Sequence, residues 1–283
     1  MQGKNLTVDL GYKKNLTSVL TSIDNYDKNP KREIIGEYDF NKIGDYELEY
    51  KVTDSSGNVE TQKFTLHVKE PNNNYSNDYT NFKDIKEKYK NNKVGIDVSF
   101  WQGNIDFEKL KDSGVEFVMI RLGTQLGFDK DSELDSKFKR NIDLAKQNGL
   151  KVGIYYYSYA KNKEQAKKQS LWVIDQLKNY EIDLPVAFDW ESFSYLNDLK
   201  LNQYEFNEIA NTFLDTLKQN NYKTYLYGSR NYLTEIFIPK HDVWLAHYTK
   251  ETDYKGEYKM WQLCNNGKVN GIYGYVDIDI LYE

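Results

Sequence analysis

The chain has 283 residues, of which 39% are hydrophobic and 29% charged. That composition suits one large domain or two unequal ones and excludes a fully disordered chain. The net charge of −5, from 38 basic and 43 acidic side chains, gives no basic footprint for nucleic acid, and with a mean hydropathy of −0.79 and no apolar run of about 18 residues there is no candidate membrane-spanning helix. Cys264 is the only thiol and His67, His241 and His247 are the only imidazoles, so an internal disulfide is impossible and neither a metal site nor a cofactor is expected. Aromatic side chains are abundant, with 25 Tyr, 13 Phe and 5 Trp. Their amphipathic rings suit the faces of sugars.

The opening residues MQGKNLTVDL lack the basic segment and apolar core of a signal peptide. From there to residue 70 polar and apolar side chains alternate between turns. Tyr46, Leu48 and Tyr50 share one face, Asp54 to Asn58 form a Ser/Gly turn, and Phe64, Leu66 and Val68 alternate again. This hairpin pattern predicts a small all-β sandwich domain over residues 1–70. Pro71 and the Asn-rich run PNNNYSNDYTNF predict a linker over 71–92.

Over 93–283 the pattern changes to short apolar runs, each followed by a polar helical stretch. Strands are predicted at 94–99, 116–122, 151–159, 184–190 and 223–228, with helices after them: a short one capped by Asp106, then 132–148, 162–179, 202–220 and 230–237. DVWLAHY, YKMWQL and GYVDIDILY are three further strands, separated by segments too short for helical crossovers. The predicted fold class is α/β: an irregular barrel of five βα units plus three strands, preceded by the small all-β sandwich.

In a parallel barrel the site lies at the carboxyl ends of the strands, which directs attention to the acids there. Asp97 ends Val94-Gly95-Ile96, and Asp189 and Glu191 end Leu184-Pro185-Val186-Ala187-Phe188. In extended chain the two acids of D-W-E point to the same side, with Cα atoms about 6.5 Å apart. Paired carboxylates are what glycoside hydrolysis needs, one to protonate the leaving oxygen and one to support the oxocarbenium-like centre. A single strand-end carboxylate more often caps a helix or meets solvent; three at one end favour a site. Asp277 and Asp279 alternate with Val276, Ile278 and Ile280, which reads as the wet face of the last strand with Asp277 near the barrel mouth. Asp129, Asp131, Glu133 and Asp135 read as a solvated helix start. Tyr155 and Tyr157 share a strand face, while Trp190, Tyr227, Trp244 and Trp261 lie near other strand ends. As a set these six aromatics are the candidate sugar contacts, although buried rings mostly serve packing.

Several segments, taken in order, resemble glycoside hydrolase family 25, the Chalaropsis-type lysozymes that cleave peptidoglycan between N-acetylmuramic acid and N-acetylglucosamine. They are GIDVSFWQGNIDFEKLKDSGVEFVMIRLG, FKRNIDLAKQNGLKVGIYYYSYA, PVAFDWE, WLAHY, MWQL and GIYGYVDIDIL. The resemblance implies an irregular barrel and active-site acids at Asp97, Asp189, Glu191 and Asp277. It makes Glu191 the general acid/base, and Asp189 either the nucleophile or the support for the substrate's 2-acetamido group. It further implies peptidoglycan as partner and an extracellular or wall-associated location. One departure falls in GIYYYSYA, where Tyr156 stands at a position at which many members carry histidine, and it bears on the sugar subsites. Residues 33–70 look like the later strands of bacterial immunoglobulin-like modules, with TDSSGN as their D-x-x-GN turn. Two rival readings stand beside this one: an N-acetylhexosaminidase directed at chitin on the same barrel, and a wall-binding protein without turnover.

Overall fold

The computed structural model describes residues 5–71, 78–191 and 195–282. They belong to two compact units, one of residues 1–77 with 192–206 and one of 78–191 with 207–283. Part of the Asn-rich run read as spacer, 72–77, lies outside the described residues. Among the described residues no helix is long and apolar enough to cross a membrane.

The first unit contains β1 (Asn5–Asp9), α1 (Leu16–Val19), β2 (Lys31–Ile35), β3 (Gly44–Thr53) and β4 (Val59–Lys69). They form one four-stranded sheet in the order β1-β4-β3-β2, with β1 parallel to β4 and the other pairs antiparallel. The β3–β4 hairpin closes at Asp54, whose Oδ1 accepts the amide protons of Ser56 and Asn58 at 2.9 and 2.7 Å. Gly57 supplies the φ of +89° that the turn demands and a side chain would resist. Period-two alternation then buries Leu48, Tyr50, Phe64, Leu66 and Val68 on one face, against Leu16 and Leu20 with Tyr38 and Phe40 beside them. The expected sandwich is met in part: one sheet is present, and its second layer is helix α1 and loops. Asn15, Pro30 and Gly36 interrupt the segments that a second sheet would need. Residues near 200 join this unit, where Asn197 Nδ2 donates to the carbonyls of Thr17 and Leu20, both at 3.3 Å.

The second unit starts with β5 (Thr80–Asn81) and α2 (Phe82–Lys88), within the stretch expected to be linker. Apolar Phe82 is 1% exposed, so this stretch is packed and not spacer. The barrel follows as β6 (Lys93–Val98), α3 (Phe107–Asp112), β7 (Phe117–Gln125), β8 (Ser132–Leu134), α4 (Phe138–Gln147), β9 (Lys151–Tyr157), α5 (Lys163–Leu177) and β10 (Val186–Asp189), then, after α6 (Leu196–Leu199) of the first unit, α7 (Gln203–Gln219), whose first turn also counts with the first unit, β11 (Thr224–Ser229), α8 (Arg230–Glu235), β12 (Asp242–Ala246), β13 (Met260–Lys268) and β14 (Val276–Leu281). Asp106 and Asn162 cap α3 and α5 by accepting Lys109 and Gln165 amide protons, as their residue types favour.

Strands β6, β7, β9, β10, β11, β12 and β13 run parallel and β14 antiparallel, and pairing of β12 with β13 closes the eight-stranded barrel. The crossover from β12 to parallel β13 uses a loop in place of a helix, so the short gap does not prevent parallel pairing here. Residues 132–134, expected to open a helix, instead pair with β7 as a hairpin strand. Inside the barrel Phe117, Met119, Ala187, Tyr225, Trp244, Met260 and Leu281 fill the floor. Gly95 and Gly153 leave room for them: a Cβ at Gly95 would stand 2.4 Å from the Phe117 carbonyl, and one at Gly153 2.3 Å from the Met119 sulfur. Burying one such large apolar side chain contributes on the order of 1.5–3 kcal/mol.

Candidate active site

Inward positions alternate along each strand, so the next inward residues above the apolar floor line the barrel mouth. On β6 that position is Asp97, on β9 Tyr155 and Tyr157, on β10 Asp189, and on β11 Tyr227. Because β14 runs against its neighbours, its first residues lie where the parallel strands end. Asp277 accordingly pairs in register with Asp97. These residues, with Glu191, Trp101, Arg121, Trp244, Tyr248 and Gln262, surround one cavity of about 260 Å³.

The structure thus brings together all four predicted acids and four of the six predicted aromatics, Tyr155, Tyr157, Tyr227 and Trp244. Trp190 and Trp261 stay outside the cavity. Trp190 is 1% exposed and gives its indole proton to the Ala160 carbonyl at 3.1 Å, and Trp261 gives its own to the His247 carbonyl at 2.9 Å. Both sit at outward positions of their segments, so their bulk packs behind the wall. Tyr156 also points outward, with its hydroxyl 2.7 Å from Ser132 Oγ and its ring stacked on Phe213. The departure from the family pattern therefore does not reach the cavity wall.

Electrostatics separates the acids. Asp189 is nearly buried and its Oδ1 meets no donor among the described residues. Desolvation and the adjacent Glu191 charge raise its pKa well above the usual carboxylate range, with Arg121 pulling the other way. Glu191 opens to solvent, yet loss of water at the cavity wall and the Asp277 charge raise its pKa too. Desolvation pushes Asp277 up to about 6. Two adjoining carboxylates at such a site do not both ionise cheaply.

Asp279 overturns the expectation of a wet strand face, because it is fully buried. Its Oδ1 accepts the Trp244 indole proton at 2.8 Å, while Oδ2 meets no N–H or hydroxyl donor among the described residues. Burial first, then the Asp277 charge, raises its pKa well above normal. Asp97 is raised likewise by burial, then by the Asp277 and Asp279 charges, so these buried carboxylates do not all ionise cheaply. Gln262 fixes the other side of Asp97: its Oε1 accepts the hydroxyl protons of Tyr227 and Tyr248 at 2.8 and 3.1 Å, which leaves Nε2 to donate to Asp97 Oδ2 at 2.7 Å.

Sequence reasoning also missed Arg121 and Asp135. Asp135, expected on a solvated helix start, is buried and accepts from Arg121 Nε at 2.8 Å and from the Phe100 amide at 3.0 Å. It holds the Arg121 guanidinium over the Phe100 ring, 4.9 Å from the centroid, at the cavity edge. An arginine inside an apolar strand was the available signal, since such a charge requires a buried partner.

An acid cluster at the C-terminal mouth of a closed β/α barrel, walled by tyrosine and tryptophan, defines the chain as a glycoside hydrolase. Residues 96–272 match the glycosyl hydrolases family 25, and the chain belongs to that family. The uncharacterized protein YegX of Escherichia coli is 31% identical over 199 residues, covering 66% of this chain and 68% of that protein. The autolytic lysozyme of Clostridium acetobutylicum is 29% identical over 195 residues, covering 67% of this chain and 56% of its own length. Among solved structures, the modular autolysin LytC from Streptococcus pneumoniae, in complex with a synthetic peptidoglycan ligand, superposes with a TM-score of 0.60 at 25% identity, over 83% of this chain and 56% of LytC. A family 25 glycosyl hydrolase from Bacillus anthracis shares the fold at 22% identity and a TM-score of 0.57, over 74% of this chain and 92% of its own. The chain therefore spans little more than half the length of the autolysins it matches.

Proposed function

We propose that the chain is a peptidoglycan hydrolase, an N-acetylmuramidase that cuts the β-1,4 bond between N-acetylmuramic acid and N-acetylglucosamine. The observation that carries this reading is the convergence of Asp189 and Glu191 on one tyrosine-walled cavity with Asp97 and Asp277 around them. The autolytic lysozyme of the Clostridium species and the peptidoglycan ligand of LytC support the choice of substrate.

In this mechanism Glu191, the more open of the pair, holds the proton and gives it to the glycosidic oxygen as the bond to the anomeric carbon breaks. Burial alone raises Asp189 more than Glu191, so it is the Arg121 charge and the positive centre developing on bound substrate that favour ionised Asp189, which either attacks that carbon or orients the 2-acetamido oxygen that does. Glu191 then takes a proton from the water that completes hydrolysis. Asp97, fixed by Gln262, orients its neighbours from the next wall. Work on wall polymer implies an extracellular or wall-associated enzyme. The first unit, by its D-x-x-GN turn, is read as an immunoglobulin-like module.

The test is digestion of purified peptidoglycan and of chitin oligomers side by side, with mass spectrometry of the reducing ends. N-acetylmuramic acid at the new reducing end is expected. N-acetylglucosamine there, or faster turnover of chitin, would replace the muramidase by a hexosaminidase acting at a different bond.

A further inference from the structure

Strand β5 and helix α2 precede the segment that matches the family, and Tyr273 and Tyr275 follow it. These parts build a surface beside the carboxylate cavity. Strand β5 pairs in parallel with the end of β13, Thr80 with Gly267 and Asn81 with Lys268, beyond the residues of β13 that pair with β12. Thr80 Oγ1 donates to Asn266 Oδ1 at 2.9 Å, and Asn266 Nδ2 donates to the Asp78 carbonyl at 3.2 Å. With Phe82 buried behind it, the added strand is firmly seated.

The added strand bounds two open cavities. One, of about 460 Å³, is lined by Tyr248, which also lines the carboxylate cavity, and by Tyr79 and Asn81. The other, of about 960 Å³, shares Tyr79 and Asn81 and continues to Lys268, Tyr273 and Tyr275. The three cavities lie side by side, Tyr248 walling the first two and Tyr79 with Asn81 the second and third. Along them Tyr248, Tyr79, Tyr275 and Tyr273 are 51%, 53%, 44% and 100% exposed. Lys268 Nζ lies 5.2 Å from the ring centroids of both Tyr79 and Tyr275, so one cation faces both rings.

Isolated exposed aromatics need no explanation. A row of them, braced by an added strand and beside the acid cavity, does. Flat amphipathic rings stack on pyranose faces, and an ammonium beside them matches a carboxylate. From this we infer that the row from Tyr248 to Tyr79 and Tyr275 is a remote binding site for the same polymer, taking acetylated hexosamine units and their carboxylate-bearing substituents beyond the cleaved bond. This inference rests on the peptidoglycan reading above and deepens it.

The experiment uses the full chain and the double variant Tyr79→Ala/Tyr275→Ala, with Tyr79→Phe/Tyr275→Phe as control and thermal melting to confirm folding. Turnover is measured on insoluble sacculi and on a soluble tetrasaccharide of alternating N-acetylglucosamine and N-acetylmuramic acid. Sedimentation with sacculi measures binding independently of turnover. The Ala pair should raise KM on sacculi and weaken sedimentation about tenfold, with kcat and tetrasaccharide KM within about twofold of the parent. The Phe pair, which keeps the rings, should behave as the parent. Unchanged sacculus binding in the folded Ala variant would overturn the remote site while leaving the muramidase reading intact, and so would an equal KM rise on the tetrasaccharide. A parent that binds sacculi without cutting them, and loses binding in the Ala variant, would support the site and sink the hydrolase reading. If the parent neither binds nor cuts sacculi, both fall.

Discussion

The two units bury polar groups to different ends. In the first, the core is apolar and the deep hydroxyl of Tyr50 is satisfied: it donates to the Leu20 carbonyl at 3.1 Å and lies 3.1 Å from Ser22 Oγ. In the barrel, Asp97, Asp189 and Asp279 are buried with Arg121 and Asp135 nearby, and Asp189 Oδ1 and Asp279 Oδ2 lack donors among the described residues. Unsatisfied buried carboxylate oxygens cost stability, typically 1–3 kcal/mol per group or more. The barrel bears that cost where its chemistry is, over a close-packed floor. Among the described residues the four-stranded sheet holds no comparable cluster.

This contrast can be broken most sharply at the acid pair. Glu191→Gln keeps the shape and removes the proton donor, so kcat on peptidoglycan should fall about 10²–10⁴-fold with the melting temperature nearly unchanged. Turnover near that of the parent would remove Glu191 from the proposed role. The Arg121–Asp135 pair should behave oppositely. Arg121→Met strands a buried carboxylate, and chemical denaturation should show a loss of about 3–5 kcal/mol in the barrel transition. A loss below about 1 kcal/mol would place the pair with ordinary surface ion pairs.

In the first unit Leu66→Ala empties part of the sheet core and should cost about 2–5 kcal/mol in that unit's transition. Hydrolysis by the folded protein should not change if the chemistry belongs to the barrel alone; a matching loss of kcat would refute that division.

The smallest expected effect is a pH slope. The Asp277 pKa is raised from 3.8 to about 6 by folding. The folded state therefore binds the proton more tightly, and the group's stabilising contribution is present below about pH 4 and lost as pH rises through about 6. Asp277→Asn removes this slope. Its stability should gain on the parent by on the order of 2–3 kcal/mol between pH 4 and 7. Denaturation curves at the two pH values that shift in parallel for parent and variant would show that Asp277 titrates normally.

How much of this was legible in the sequence follows the range of the forces involved. The cap at Asp106, the turn at Asp54 and the alternation of apolar strands are local, so the βα units, the hairpin and the D-W-E strand end could be read directly. The inward face of Tyr155 and Tyr157 follows from a period of two, and so does the outward face of Tyr156. Trp190 and Trp261 were misplaced because nearness to a strand end does not say which side of the wall a ring takes.

The sequence by itself determined most of the barrel's strand and helix pattern, the barrel class and the two acids that share a strand end, because these depend on residues a few positions apart. Tertiary structure alone decided the rest. The reversed direction of β14 carries Asp277 to the mouth and buries Asp279 beneath it. The closure of β13 onto β12 and β14 sets Gln262 between Asp97 and two tyrosines, and the β7–β8 hairpin brings Asp135 to Arg121. Each of these depends on the register between strands, which no local pattern encodes. Register puts a carboxylate in water or in the core, and with that sets its pKa.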